Sequence, residues 1–180
     1  ITQGAEDSKA RIDVLAQKYG LTDEQVAAAK AKQDLIVSNS QTMTDQITAI
    51  YEKNNADVSR LTTTEKTIVE NNMRELCKAR VQELGLGKDK EKAILEVFNG
   101  DVKNMTMAQL KDQSSALQEA MKEEQQSYKT QRDEIKESLD LGLIDQEQYN
   151  SKMAALKTQH NATMTEFGQA LTKVAQEQDA

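Results

Sequence analysis

The chain has 180 residues, a formal net charge of −7, no proline, no tryptophan and two phenylalanines. Its length suits one domain or an elongated assembly of helices. The 37% hydrophobic content leans on alanine and suits amphipathic helices with narrow apolar stripes rather than a thick core.

The acidic balance, with both signs interspersed, argues against a basic surface for nucleic-acid phosphates. Cys77 is the only cysteine, so no intrachain disulfide framework exists, and its place beside Met73, Leu76 and Val81 reads as a small buried hydrophobe. No apolar run nears the ~18 residues of a membrane span, and no signal-peptide pattern opens the chain. The first residue is Ile1 rather than methionine, which reads as an excised segment or a processed product.

A first helix is predicted from about Ala5 to Tyr19, with Ile12, Leu15 and Tyr19 on one face. Gly20 fits the left-handed position that ends a helix, and Leu21 then folds back on the last turn. The run "TDEQ" from Thr22 places glutamine three residues after threonine, a capping-box arrangement. The second helix is expected from Asp23 to about Ser59. A bend or break is expected at "SNSQT", Ser38 to Thr42, where short polar side chains compete for backbone hydrogen bonds.

Thr62 and Glu65 form the capping box of a third helix, whose stripe is Ile68, Val69, Met73, Leu76, Val81 and Leu84. Gly85 ends it, and Asp89 is the expected cap of a short helix through Phe98. Asn99 and Gly100 suit a turn, and Thr106 with Gln109 caps a helix from Met107 to Leu141. Along it, Leu110, Ser114, Leu117, Met121, Glu124, Tyr128, Gln131 and Ile135 keep a heptad-like spacing diluted by polar residues. Self-association or partner binding is expected on that face, Leu110 to Ile135. Gly142 ends the helix, Leu143 and Ile144 make an apolar corner, and Asp145 with Gln148 caps a last helix that carries Tyr149, Met153, Leu156, Met164, Phe167, Leu171 and Val174.

These elements predict an all-α fold: long antiparallel helices joined by short glycine-containing corners, as a helical hairpin or elongated bundle that is partly coiled-coil-like. The corners are Gly20, Gly85, Gly100 and Gly142. The helix-packing candidates are Leu110, Leu117, Met121, Tyr128, Ile135, Leu156 and Phe167. The expected segments are 1–60, an N-terminal helical stretch; 61–105, a helix, corner and short helix; and 106–180, a long hairpin. All three are compatible with one domain.

The Gly-Leu sites at Gly20, Gly85 and Gly142 lie about 65 and 57 residues apart with unlike flanks, so they share helix stop-and-start grammar rather than a repeat. "GLGKDK" lacks the spacing and the Lys-Ser/Thr of a phosphate loop. "NNADVSR" and "NGDVKN" lack the alternating acids of a calcium loop, and turn and cap chemistry is the expectation there. His160, the only histidine, has no Cys/His cluster around it and reads as a lone satisfied side chain, with facing a partner helix or titrating at an interface as the alternatives. The methionines read mainly as gap-fillers in a core. The acidic pairs Glu123–Glu124 and Asp133–Glu134 fall on faces expected to be exposed. No catalytic, metal or cofactor constellation is expected, and the reading is of a non-enzyme.

The block "TTTEKTIVENNMRELCKARVQELGLGKDKEKAILEVFNGDVKNMTMAQLKDQ" resembles segments of tail tape-measure proteins from phages and prophages of Gram-positive bacteria, of the siphophage type. The later "SYKTQRDEIKESLDLGLIDQEQYNSKMAALKTQHNATM" also looks like such proteins, so the resemblance covers roughly Leu61 to Met164. It implies a piece of a longer ruler that occupies the tail tube, helps set tail length and leaves during genome ejection. It also implies tail-tube and tail-assembly partners, no cofactor, and a place in the virion tail after assembly in the host cytoplasm. The corners at Gly85, Gly100 and Gly142 depart from an extended ruler and imply a hairpin for the isolated segment. The rival reading is a helical coiled-coil interaction or scaffold module of a secreted, secretion-system or surface protein.

Overall fold

A computed structural model describes the backbone of every residue except Ile1 and Asp101, and the side chains from Lys9 onward other than that of Asp101. Six α-helices and two 3₁₀ turns account for most of the described residues, with no strand among them. The helices are α1 (Thr2–Tyr19), α2 (Asp23–Lys53), α3 (Thr63–Glu83), α4 (Lys88–Asn99), α5 (Met107–Asp140) and α6 (Gln146–Asp179). The all-α expectation is met. No described helix is long and apolar enough to cross a membrane. The chain divides into two compact units, Ile1–Met43 and Thr44–Ala180.

In the first unit, Gly20 adopts φ +65° and the Leu21 amide donates back to the Ala16 carbonyl at 3.1 Å. Thr22 and Gln25 close their capping box from both sides, at 2.9 and 3.2 Å. Lys30 pairs with Asp13 at 2.6 Å, and Lys9 pairs with Asp34, so α1 and α2 are bridged at two levels. None of this unit's described hydrophobic side chains is buried; Val14, Leu15, Tyr19 and Leu35 are exposed.

Helix α2 departs from expectation twice. It runs without a break through Ser38–Thr42, where the Thr42 hydroxyl bonds back to the Ser38 carbonyl four residues earlier at 3.0 Å. It also stops at Lys53, short of Ser59. Asn55 and Ala56 take φ +53° and +58°, and the Ala56 amide reaches the Tyr51 carbonyl at 2.7 Å. An asparagine tolerates that region; the alanine carries a steric cost there.

The second unit is built on the α5–α6 hairpin, with α3 and α4 laid across one half of it. Thr62–Glu65, Thr106–Gln109 and Asp145–Gln148 all form the predicted capping boxes. The predicted cap of α4 is corrected: Gly87, at φ +92°, holds that position without a side-chain bond, and Asp89 lies in the first turn. There its charge still complements the helix dipole.

Cys77, Val81, Ile94, Val97, Val102, Leu110, Leu117, Phe167 and Val174 form the core with Ala116, Ala120 and Ala170. The alanines allow α5 and α6 to approach closely, and each side chain of Leu117 or Phe167 size contributes roughly 1.5–3 kcal/mol by leaving water. Phe98 stacks on Phe167 with centroids 6.5 Å apart. Leu110 and Leu117 are buried as the heptad spacing predicted, but Gln113, Ala116 and Ala120 are buried too. Helix α5 is packed by α4 as well as by α6, so its buried stripe is wider than a two-helix seam.

Candidate functional site

The corner glycines act in two different ways. Gly20, Gly85 and Gly142 have φ of +65°, +69° and +70°, as the Gly-Leu grammar predicted. At Gly142 the amide of Leu143 donates to the Ser138 carbonyl at 2.9 Å, which closes the end of α5 and sends the chain back along it. Gly100 has an ordinary φ of −115°, but a Cβ there would lie 2.7 Å from the Glu96 carbonyl oxygen. Its glycine is required by close backbone approach. Asp101 of "NGDVKN" lies outside the described residues.

Of the packing candidates, Leu110, Leu117 and Phe167 are fully in the core. Met121 packs half-buried against it. Tyr128, Ile135 and Leu156 are half-buried farther along the hairpin. Of the methionines, Met105 and Met121 pack against the core as fillers, whereas Met107 is exposed.

A polar cluster sits where the core ends. Glu124 is only 3% exposed, which corrects its expected place on a solvated face. The Arg80 Nε–H donates to Glu124 Oε2 at 2.6 Å, and Nη1 donates to Glu83 Oε2 at 2.9 Å. Arg80 Nη2 donates to the Ser127 hydroxyl. The other Glu124 oxygen, Oε1, lies 3.0 Å from His160 Nδ1. Tyr128 stacks on the His160 ring at a centroid distance of 4.0 Å. His160 is thus satisfied, as the sequence predicted, and the helix it faces is α5.

Burial disfavours the Arg80 charge, but the Glu124 and Glu83 carboxylates outweigh it and hold the guanidinium above its ordinary range. The cluster ties α3, α5 and α6 at one level. A one-residue slip of either long helix would leave a charge buried without its partner, which costs several kcal/mol. Its chemistry is therefore positional: it sets the register of the hairpin.

A second ionisable group lies farther along α6. Burial pushes the Glu166 carboxyl up, while Arg74 and Lys173 pull it down and Glu70 adds to the rise. Glu166 lines a cleft of about 160 Å³ with Arg74, Val97, Phe98, Gln169, Ala170 and Lys173. Burial also pushes the Cys77 thiol well up, with smaller contributions from Glu166 and Glu124, and its Sγ lies 3.8 Å from the Thr163 carbonyl. Cys77 thus packs as the small buried hydrophobe the sequence implied. In "NNADVSR" the Asp57 carboxylate accepts from the Ser59 amide at 3.0 Å and its hydroxyl at 2.6 Å, which is cap chemistry. Among the described residues, no group of three or more His, Cys, Asp or Glu stands ready to hold a metal ion.

Sequence reasoning missed the Arg80–Glu124 pair, because an isolated arginine on one helix and a glutamate on another carry no local signal. The available clue was that Glu124 occupies a seam position of the heptad-like pattern. Compared with protein-family models, curated proteins and solved structures, the chain matches none.

Proposed function

We propose that this chain is a structural segment of a phage tail tape-measure protein, contributing length and helical packing within the tail tube rather than chemistry of its own. The resemblance across Leu61–Met164 carries this reading. The long capped helices are compatible with it. Its partners on this reading are tail-tube and tail-assembly proteins, and its location is the virion tail, assembled in the host cytoplasm.

In-frame deletion of the segment, followed by electron microscopy of the particles, tests the reading. A fully helical, extended segment of 180 residues contributes up to roughly 270 Å at about 1.5 Å per residue. A folded-back state contributes less, since α5 and α6 then share one length of about 50 Å. Shortened tails are expected. Tails of normal length from an assembly-competent deletion would sink the ruler reading.

The second reading is a helical scaffold or interaction module of a secreted, secretion-system or surface protein. The half-buried outer part of the α5–α6 hairpin favours it, because such a surface suits a helical partner. A parent reading frame of many hundreds of residues beside tail-tube and tail-chaperone genes would decide for the ruler.

A further inference from the structure

No side chain from residue 125 to residue 161 is buried, although the backbone is helical on both sides of the Gly142 corner. Glu124 and Ala162 are the last buried positions before this stretch. The outer halves of α5 and α6 therefore form an arm roughly 24 Å long beyond the core, at 1.5 Å per residue, met at its base by α2, where Gln159 donates to Thr44 and Thr158 meets Thr48. Tyr128, Ile135, Leu139, Tyr149, Met153 and Leu156 along the arm are only half-buried. At its end Leu141 and Leu143 are 66% and 72% exposed. The half-buried side chains line the seam between the two helices, which leaves the outer edges of the helices open; further helices would cover those edges, as in a four-helix bundle.

The charge along the arm is divided. The tip, residues 134–150, carries Glu134, Glu137, Asp140, Asp145 and Glu147 against a single Lys136. The base, residues 125–133 and 151–161, carries Lys129, Arg132, Lys152 and Lys157 against a single Asp133. Asp145 and Glu147 suit the start of α6, but Glu137 and Asp140 sit in the last turn of α5, which has no basic residue. There they oppose the helix dipole. A basic surface laid beside the tip would relieve that repulsion.

We infer that the arm is a self-association surface whose occupant is the arm of a second copy, packed antiparallel so that each acidic tip lies along the other's basic base. Parallel packing would set tip on tip and repel. A two-fold antiparallel pairing is self-complementary, because the same residues serve both copies. The open edges of two hairpins then close into a four-helix bundle. The contact is small, on the order of 1,000 Å² in total for a pair of helices about 24 Å long, which places it among weak, reversible interfaces. This inference is independent of the ruler reading.

Sedimentation equilibrium of the full chain tests it, with circular dichroism as the check on folding. Glu137, Asp140, Lys152 and Lys157 are all exposed, so reversing their charges leaves the core untouched. A monomer–dimer equilibrium is expected that weakens as salt rises. K152E/K157E and E137K/D140K should each weaken dimerisation about tenfold or more, from the loss of paired charges and the gain of like-charge contacts. An equimolar mixture of the two double variants should dimerise better than either alone, because one of its two tip-to-base contacts keeps its original charges. A chain that stays monomeric to about 1 mM overturns the inference, since that limit corresponds to negligible affinity. So does a dimer insensitive to both double variants, or a mixture of the two that is no stronger than each alone.

Discussion

Arg80 on α3 and Glu124 on α5 lie 44 positions apart in sequence, and the guanidinium donates to the carboxylate across 2.6 Å. The side chains are 8% and 4% exposed, so the pair is desolvated. Glu124→Gln leaves the Arg80 charge with Glu83 alone and should cost about 3–5 kcal/mol in urea unfolding, as expected for a buried pair broken on one side. The double variant R80M/E124L should cost clearly less than Arg80→Met and Glu124→Leu summed. Two losses that simply add would show that the residues are not coupled.

Lys53 donates to Glu65 at 2.6 Å, while the same carboxylate caps α3 through the Thr62 amide at 2.9 Å. Lys53, helped by the Thr62 amide, holds the Glu65 carboxyl down to about 2, against an ordinary value of 4.5. A depressed carboxyl binds protons less tightly in the folded chain than in the unfolded one. Its contribution to stability is therefore present above about 4.5 and is lost as pH falls from there through about 2. A carboxyl ¹³C titration of Glu65 should show the low midpoint, and Lys53→Ala should move it upward. An unmoved midpoint in that variant would show that the Lys53 contact does not form in solution.

Glu166 has the opposite sign. Burial raises its carboxyl, so the folded chain holds that proton more tightly than the unfolded chain. Stability on this account falls as pH rises from the ordinary carboxylate range through the raised value. Glu166→Gln keeps the shape without the charge and should raise Tm at neutral pH, with little change well below the ordinary range. A lower Tm at neutral pH would mean that attraction from Arg74 and Lys173 outweighs desolvation.

Gly142→Ala and Gly100→Ala separate two reasons for glycine. At Gly142 an added Cβ meets nothing within 4 Å, so the cost is the left-handed backbone alone, about 1 kcal/mol. At Gly100 the Cβ would stand 2.7 Å from the Glu96 carbonyl, which forces the end of α4 to shift, at about 1–3 kcal/mol. Thermal unfolding should rank Gly100→Ala as the more harmful. The reverse ranking would place the strain in the dihedral rather than in the contact.

The helices and their ends were legible in the sequence because their causes are local. Thr62 with Glu65, Thr106 with Gln109 and Asp145 with Gln148 each satisfy orphan amides within four residues, and Gly20, Gly85 and Gly142 supply a dihedral that other residues resist. The heptad-like spacing likewise marked Leu110 and Leu117 as inward-facing. The end of α2 was not legible, since Asn55 and Ala56 reverse the chain without a glycine. The burial of Glu124 was decided only in three dimensions, because its cost is offset by Arg80 and His160 from two other helices. The point along α5 at which burial stops was decided there too: the apolar pattern continues to Ile135, and only the placement of α3 and α4 determines which half of it is covered.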